Sequence, residues 1–527
     1  MALEADYIIV GSGINGLVAA SLLAKRGRKV VLLERNDRIG GCIRTEAITE
    51  PGFVHDVMAT TFVLFTTSPA YGVLKDDLAA RGLEFCDAAH PTGVLMPDGR
   101  HAILSRERAA NVRALDALSP GDGAAFDADM NRFAGNAGFV FSLLGSALWS
   151  RATMKTVGRE LLRRGPRGLA RFFGEAMVDA RAHLETTYGS QTTRALFAPW
   201  VLHCGLGPES TFSGEMVRVI GFALEAAGAP VVKGGAETIL TAFRRLIEDH
   251  GGVIRTGADV EEIVRNAKGE AEGVRLAGGE VLRAGSGVVV SAAPGQLYGR
   301  LLPGESLPPE MKDSARRYRH GKGNMQIHYA LSRPPRWSSS ELGQVALLHL
   351  TPGLDGVSRA ANEAERGMLP AEPTICVGQP AMLDPSRAPE GASILWLQLP
   401  EAPRFIKGDA AGTIPVPADG AWTPELREAY ADRIEAILAG HVEGFRESVL
   451  KRVSYSPADL ERLNVNLVGG DPYGGACGVD QFFLWRPFKG SVNHRTHVPK
   501  LYHIGASTHP GPGLGAGSGF ALAQTLR

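Results

Sequence analysis

The stretch Asp6–Glu34, DYIIVGSGINGLVAASLLAKRGRKVVLLE, decides the fold. Its opening DYIIV reads as a short buried strand. Leu17–Gly27 has helical periodicity that stops at a glycine suited to a helix C-terminus. KVVLLE, Lys29–Glu34, is the next strand and ends on an acidic side chain. Between strand and helix lies Gly11-Ser12-Gly13-Ile14-Asn15-Gly16. This is a GxGxxG in the setting that gives the pattern its meaning: strand, turn, helix, strand, then a carboxylate about 20 residues on. Gly11 makes the tight turn, Gly13 lets a pyrophosphate approach the backbone, Ile14 and Asn15 complete the turn, and Gly16 lets helix and strand pack closely. Glu34 suits the hydroxyls of an adenosine ribose, and its charge repels a 2′-phosphate. The unit reads as a dinucleotide site.

The residues after Glu34 bear on which dinucleotide. Arg35-Asn36-Asp37-Arg38-Ile39-Gly40-Gly41-Cys42-Ile43-Arg44-Thr45 brings a second glycine pair followed by Arg and Thr. NAD has no need of it, because its second half lies against a second mononucleotide unit. FAD, with a ribityl chain and a tricyclic ring, continues beyond the first turn. Read alone, the segment also fits an ordinary glycine turn before a hairpin. At the far end, Leu501–Phe520, LYHIGASTHPGPGLGAGSGF, opens strand-like and ends helix-like across a glycine-rich turn. Such a turn lets backbone approach a ligand, and the helix N-terminus after it favours negative charge.

Composition narrows the classes. At 527 residues the chain exceeds a single core, so two or three domains are expected. Lys+Arg and Asp+Glu both total 56, without the basic bias of a nucleic-acid binder. Cys42, Cys86, Cys204, Cys376 and Cys477 are scattered with no CxxC, which argues against a disulfide framework or a zinc site and for a reducing, cytoplasmic setting. MALEADYIIV leads straight into a strand with no signal-peptide pattern, and the longest apolar run, Ala137–Trp149, is too short to span a bilayer. A disulfide reductase needs a second GxGxxG and a redox cysteine pair, whereas Gly285-Ser286-Gly287 precedes a strand. Nucleophile-elbow, HExxH and GK[ST] patterns are not seen either.

VGSGINGLVAA, ERNDRIGGCIRT, KGGAETILTAFRRLIEDHGG, QPAMLDPSRAPEG and GASTHPGPGLGAGSG together resemble the FAD-dependent phytoene desaturase and carotenoid oxidoreductase group of the amine-oxidase-like flavoproteins, nearest the phytoene dehydrogenase-related branch. The resemblance spans almost the whole chain. It implies an α/β fold: a Rossmann-type FAD-binding domain of discontinuous segments (1–74, 229–301 and 460–527) plus a mixed α+β substrate domain (75–228 and 302–459). It also implies that the backbone of Val260 contacts adenine, that Ala292 lies near the cofactor, and that Gly505 and Ala506 sit by the ribityl and pyrophosphate. Pro510, Gly513 and Gly515 would lead into a helix whose N-terminus points at the flavin ring. Ala506-Ser507 stands where many relatives carry an acidic residue.

Other segments are legible from the residues themselves. Ala236–His250 is an amphipathic helix, and GGVIRTG, ADVEEIVRN, EAEGVRLA and EVLRA read as strands with turns at Lys268-Gly269 and Gly278-Gly279. GVVVSAA is a buried strand, as are NMQIHYALS and SILWLQLP in the second domain, and Asp384–Pro389 is a rigid surface turn of structural role. Arg151–Arg171 carries seven basic residues against Glu160 alone, beside aromatics. It fits either contact with an anionic membrane surface or a solvated helix face.

Candidates for polar chemistry are few: His509 in the final turn, Arg44 and Thr45 after the glycine pair, and His55. Cys42 reads as a buried free thiol and Trp485-Arg486-Pro487 as packing at the domain seam. The reading is an FAD-dependent oxidoreductase that desaturates or isomerises an apolar polyene, isoprenoid-like or other lipophilic substrate. An amine oxidase and a non-catalytic FAD-binding scaffold are the alternatives; oligomeric state and electron acceptor stay open.

Overall fold

A computed structural model describes residues 4–302 and 307–526. The outer bounds Met1 and Arg527, and residues 303–306 of the expected second domain, lie outside them. Two seven-stranded sheets organise the chain. In the first, Glu4–Val10 is paired in parallel with Val30–Leu33 on one side and Val281–Ser291 on the other; Val253–Arg255 and Leu501–Ile504 extend the parallel set. The parallel order 253–30–4–281–501 is that of a doubly wound dinucleotide fold. The meander Val260–Arg265 and Ala271–Leu276 joins it antiparallel. EVLRA and GVVVSAA, read as separate strands, form one strand, Val281–Ser291. Gly285-Ser286-Gly287 lies inside it, and a Cβ on Gly287 would stand 2.7 Å from the Lys500 carbonyl oxygen.

The central parallel strands are buried on both faces, as at Val30–Leu33 and Val288–Val290, and read as near-continuous Val/Ile/Leu runs because helices cover both sides. The helix Ile14–Lys25 is almost wholly buried, and a Cβ on Gly16 would collide with the Gly11 carbonyl oxygen. The amphipathic helix Glu237–Asp249 packs Ile239, Leu240, Phe243, Leu246 and Ile247 into the same core.

The second sheet runs, in spatial order, Val449–Tyr455, Gly323–Leu331, Ser393–Ala402, Ile375–Gly378, Val345–Leu350, His90–Leu95 and His101–Leu104. It is antiparallel except where Val345–Leu350 runs parallel to His90–Leu95. A helical layer, including Asp122–Gly145 and Ser213–Ala227, packs beside it.

The cores shift three of the expected boundaries. Leu78 and Leu83 pack with the first sheet beyond Leu74, and Leu302, Leu307 and Met311 do so beyond Leu301. Conversely Tyr473, Cys477 and Phe482, assigned to the FAD domain, are buried among side chains of the second lobe. The cause is the same each time: the apolar faces of short helices and loops follow the nearest core, which chain position does not reveal.

Asp384–Pro389 is a turn that exposes Pro385, Ser386 and Pro389 but sends two charged side chains, Asp384 and Arg387, inward. Arg387 is fully buried, with its guanidinium 2.7 Å from Asp56 Oδ2, 3.2 Å from Asp384 Oδ2 and 2.7 Å from the Val232 carbonyl oxygen. Asp384 Oδ2 also accepts the Gly234 N–H at 2.6 Å. One second-lobe arginine thus holds two first-lobe segments. Removing one partner of a buried pair leaves charge uncompensated, so Arg387→Met is expected to lower the unfolding free energy by about 3–5 kcal/mol. Urea titration of wild type and variant measures this, and a difference below about 1 kcal/mol would contradict the clamp.

Candidate active site

The carboxyl ends of the parallel strands open into a cavity of about 420 Å³ between the two sheets. That is where ligands bind in open α/β sheets. Its first-lobe wall contains Gly11, Gly13, Ile14, Asn15, Glu34, Arg35, Gly40, Gly41, Val260, Ala292, Gly505, Ala506 and Gly513. Gly11 has φ +94°, and a Cβ there would stand 2.6 Å from the Ser291 carbonyl oxygen. At Gly13 a Cβ would meet no atom within 4 Å, so its bare backbone faces open space. No side chain caps the first turn of the helix that follows, which leaves backbone N–H groups for an anion. Glu34 is buried: its Oε2 accepts the Ser12 backbone N–H at 3.1 Å and the Ser12 hydroxyl at 2.6 Å, and its Oε1 accepts the Asn36 N–H. Ser12 Oγ in turn accepts the Gly40 N–H, so the two glycine turns are knotted through one serine.

Several expected site residues sit elsewhere. Gly16 acts behind the wall, through helix–strand packing. The Arg44 guanidinium is engaged by Glu46, outside the cavity. Thr45 Oγ1 donates to Asp56 and accepts the Glu237 N–H, holding a helix start. His55 Nε2 lies 2.7 Å from Thr49 Oγ1 in a buried cluster with His328. His509 Nε2 bonds the Leu143 carbonyl oxygen at 3.0 Å and does not line the cavity. Arg44, Thr45, His55 and His509 thus each engage a neighbouring protein group and stand off the cavity wall. Pro510 and Gly515 are also off the wall. The final helix, Gly517–Thr525, points its start at Asn15: Ser518 Oγ and Gly519 N donate to Asn15 Oδ1 at 2.7 and 3.1 Å. The cavity is met by the turn before that helix, not by its N-terminus.

Sequence reading missed the second-lobe wall, made of Phe141, Trp200, His203, Ile220, Gln326 and Trp396 among others. A signal did exist. Asn324, Gln326 and His328 alternate along an apolar strand and so share one face. Gln326 Nε2 donates to the Met58 carbonyl oxygen at 3.0 Å, and the face turns toward the first lobe. Arg486, expected at the seam, is there: it is buried and donates to the carbonyl oxygens of Ala506 (2.9 Å) and Tyr473 (2.5 Å), bracing the turn that lines the cavity. Trp485 beside it is part-exposed. Cys42 is on the wall, its thiol pushed up to about 11 by burial.

Relatives give the class. Residues 14–405 match the family of flavin containing amine oxidoreductases, and the chain belongs to that family. It is 27% identical to pyridine nucleotide-disulfide oxidoreductase domain-containing protein 2 of Rattus norvegicus, covering 98% of this chain and 92% of that protein. It is 26% identical to the neurosporene-forming phytoene desaturase of Cereibacter sphaeroides, covering 96% and 91%. An oxidoreductase structure from Methanosarcina mazei shares the fold at TM-score 0.63 and 16% identity, covering 100% of both chains. FAD is the cofactor and the protein is an FAD-dependent oxidoreductase of the desaturase-like kind. The glycine cradle, the uncapped helix start and Glu34 fit that group.

Burial makes the histidines acid-sensitive. His55, His203, His503 and His509 are each pushed down to about 4 by burial. They are neutral in the folded chain and charged when unfolded below pH about 6.5, so their stability is complete above that value and lost as pH falls toward 4. Glu401, pushed up to about 7 by burial, has the opposite sign but is one group against four. The unfolding free energy is expected to fall between pH 6.5 and 4.5. A flat urea-unfolding profile across that window would contradict the buried neutral imidazoles.

Proposed function

We propose that the protein dehydrogenates a lipophilic substrate of polyene or isoprenoid-like character, with FAD as the two-electron acceptor. The observation that carries this reading is the second-lobe wall: among the described residues, every side chain it contributes is uncharged. His203, its one titratable member, is held neutral by burial. An ammonium substrate would lie there with no carboxylate to meet it, at the cost of an unpaired charge in a poorly solvated site. The charged wall residues, Glu34, Arg35, Asp259 and Arg300, all come from the first lobe. The named activity of the Cereibacter relative supports the same substrate class.

FAD held by the glycine turns would supply a two-electron hydride acceptor for such a reaction, and the proton lost from the neighbouring carbon would pass to solvent. This chain's residues supply the surroundings. Trp200 and Trp396 give flat apolar surface for a chain of conjugated carbons, and Gln326 fixes Trp396 through the indole N–H at 3.4 Å. Isomerisation of the same substrate class would use the same wall.

A substrate of this kind resides in a membrane, and the chain offers a surface for one. No described helix is long and apolar enough to cross a bilayer. The helix Arg151–Ala176 kinks at Gly165-Pro166 and leaves Met154, Leu161 and Leu162 exposed, with Leu162 88% exposed. Arg163 and Arg164 pair with Glu160 and Arg171 with Glu175, whereas Arg151, Lys155, Arg159 and Arg167 have no acidic partner among the described residues. Phe172 and Phe173 pack on Phe139, two residues from the cavity-lining Phe141. Exposed apolar side chains with unpaired arginines suit the cytoplasmic face of an anionic membrane.

Two measurements separate the alternatives. Anaerobic mixing of FAD-loaded protein with polyenes in liposomes is expected to bleach the oxidised flavin, and soluble amines are expected to leave it unchanged. Bleaching by an amine alone would place the protein with amine oxidases, and no bleaching by either panel would favour a scaffold role. Co-sedimentation with anionic vesicles is expected for the wild type and reduced for Leu162→Glu combined with Arg159→Glu. Equal sedimentation with neutral and anionic vesicles would contradict the docking face.

A further inference from the structure

We propose that His203, His349 and Cys376 form a binding site for a borderline-to-soft transition-metal ion, Zn²⁺ or Cu⁺, in the second-lobe wall of the cavity. One ligand atom from each side chain lies within 4.8 Å of the other two. His349 and Cys376 are cross-strand partners, opposite each other on Val345–Leu350 and Ile375–Gly378, so both side chains leave the sheet on the same face. His203 descends on them from the short helix Ala198–Cys204. Its Nε2 lies 2.9 Å from His349 Nε2, and it alone of the three also lines the cavity.

The donors fit a metal better than they fit each other. Two imidazoles joined Nε2 to Nε2 need one proton between two lone pairs. In this arrangement His349 Nδ1 is buried with no hydrogen-bond partner among the described residues, and Cys376 is a buried free thiol. Trp200 closes one side, its ring 4.7 Å from His203 and 5.0 Å from His349, which shields the group from water. In a tetrahedral site with metal–nitrogen bonds of about 2.0–2.1 Å the two nitrogens would stand roughly 3.3 Å apart, a separation of about 0.4 Å beyond that observed. Side-chain rotation covers such a distance.

Ligand type selects the ion. Two imidazoles and a thiolate suit zinc or copper, while magnesium and calcium require oxygen donors, which this group lacks. Burial alone keeps the Cys376 thiol protonated. A coordinated ion reverses that and releases the proton to solvent as the metal–sulfur bond forms. No electrons move in binding. An ion here leaves a fourth coordination position, the hallmark of sites that meet a substrate or water.

The test uses full-length, FAD-loaded protein, stripped with chelator and dialysed separately against Zn²⁺, Cu⁺ and, as a spectroscopic probe, Co²⁺. The expected result is about one equivalent of Zn²⁺ or Cu⁺ retained per chain. X-ray absorption should show one sulfur at about 2.3 Å and two nitrogens at about 2.0–2.1 Å. Cys376→Ser and His349→Gln should each weaken retention about tenfold or more while the flavin absorption stays. If either variant fails to hold flavin, Cys376→Ala, which removes the sulfur ligand away from the cavity lining, serves in its place. Substoichiometric metal in wild-type protein that keeps its flavin would overturn the site. So would Co²⁺ spectra unchanged by these variants, or a sulfur-free coordination shell. Because the readout is metal, failure of this site is distinguishable from failure of the dehydrogenase reading.

Discussion

The architecture depends on the contact between the first helix and the last. Asn15, at the start of the N-terminal helix, accepts the Ser518 hydroxyl and the Gly519 N–H across some five hundred residues of chain. A Cβ on Gly519 would collide with the Asn15 backbone, so only glycine lets the two helices approach. This closure places Gly505-Ala506 beside Gly11-Gly13 and makes one cavity wall from both chain ends. The glycine-rich C-terminus is therefore a wall segment held by packing. Of its residues near the final helix, Gly513 and Leu514 in the turn before it line the cavity.

Opposite that wall stands a sheet with a different origin and a different chemistry. Arg387 locks the lobes through Asp56, Asp384 and Val232, and Gln326 and His328 reach the Met58 and Val57 carbonyl oxygens. These buried polar contacts are fully directional, so they fix the gap between the lobes in a way apolar packing alone does not. The charged side chains that line the cavity, Glu34, Arg35, Asp259 and Arg300, therefore all stand on the first-lobe wall.

Much of the first lobe was legible because its constraints are local. Gly11, Gly13, Gly16 and Glu34 follow from turn sterics and strand length, and the helix Glu237–Asp249 follows from periodicity. The polar candidates lie off the cavity wall for the opposite reason. Arg44, His55 and His509 look chemically available in sequence, yet Glu46, Thr49 and the Leu143 carbonyl engage them through contacts that chain position does not reveal. Trp200 and His203 were invisible for the same reason: they lie on an irregular helix whose facing changes with every residue. Asn324 and Gln326 were within reach of a strict period-two reading of their strand.

The most direct test is to count hydrogens. Single-turnover anaerobic reaction of FAD-loaded protein with a polyene should yield product lighter by two hydrogens, in a one-to-one ratio with flavin reduced, by mass spectrometry and absorbance on the same sample. That result is expected if the uncharged wall holds a carbon chain against the flavin. Flavin reduced without a lighter product, or product formed without flavin reduction, would contradict the account.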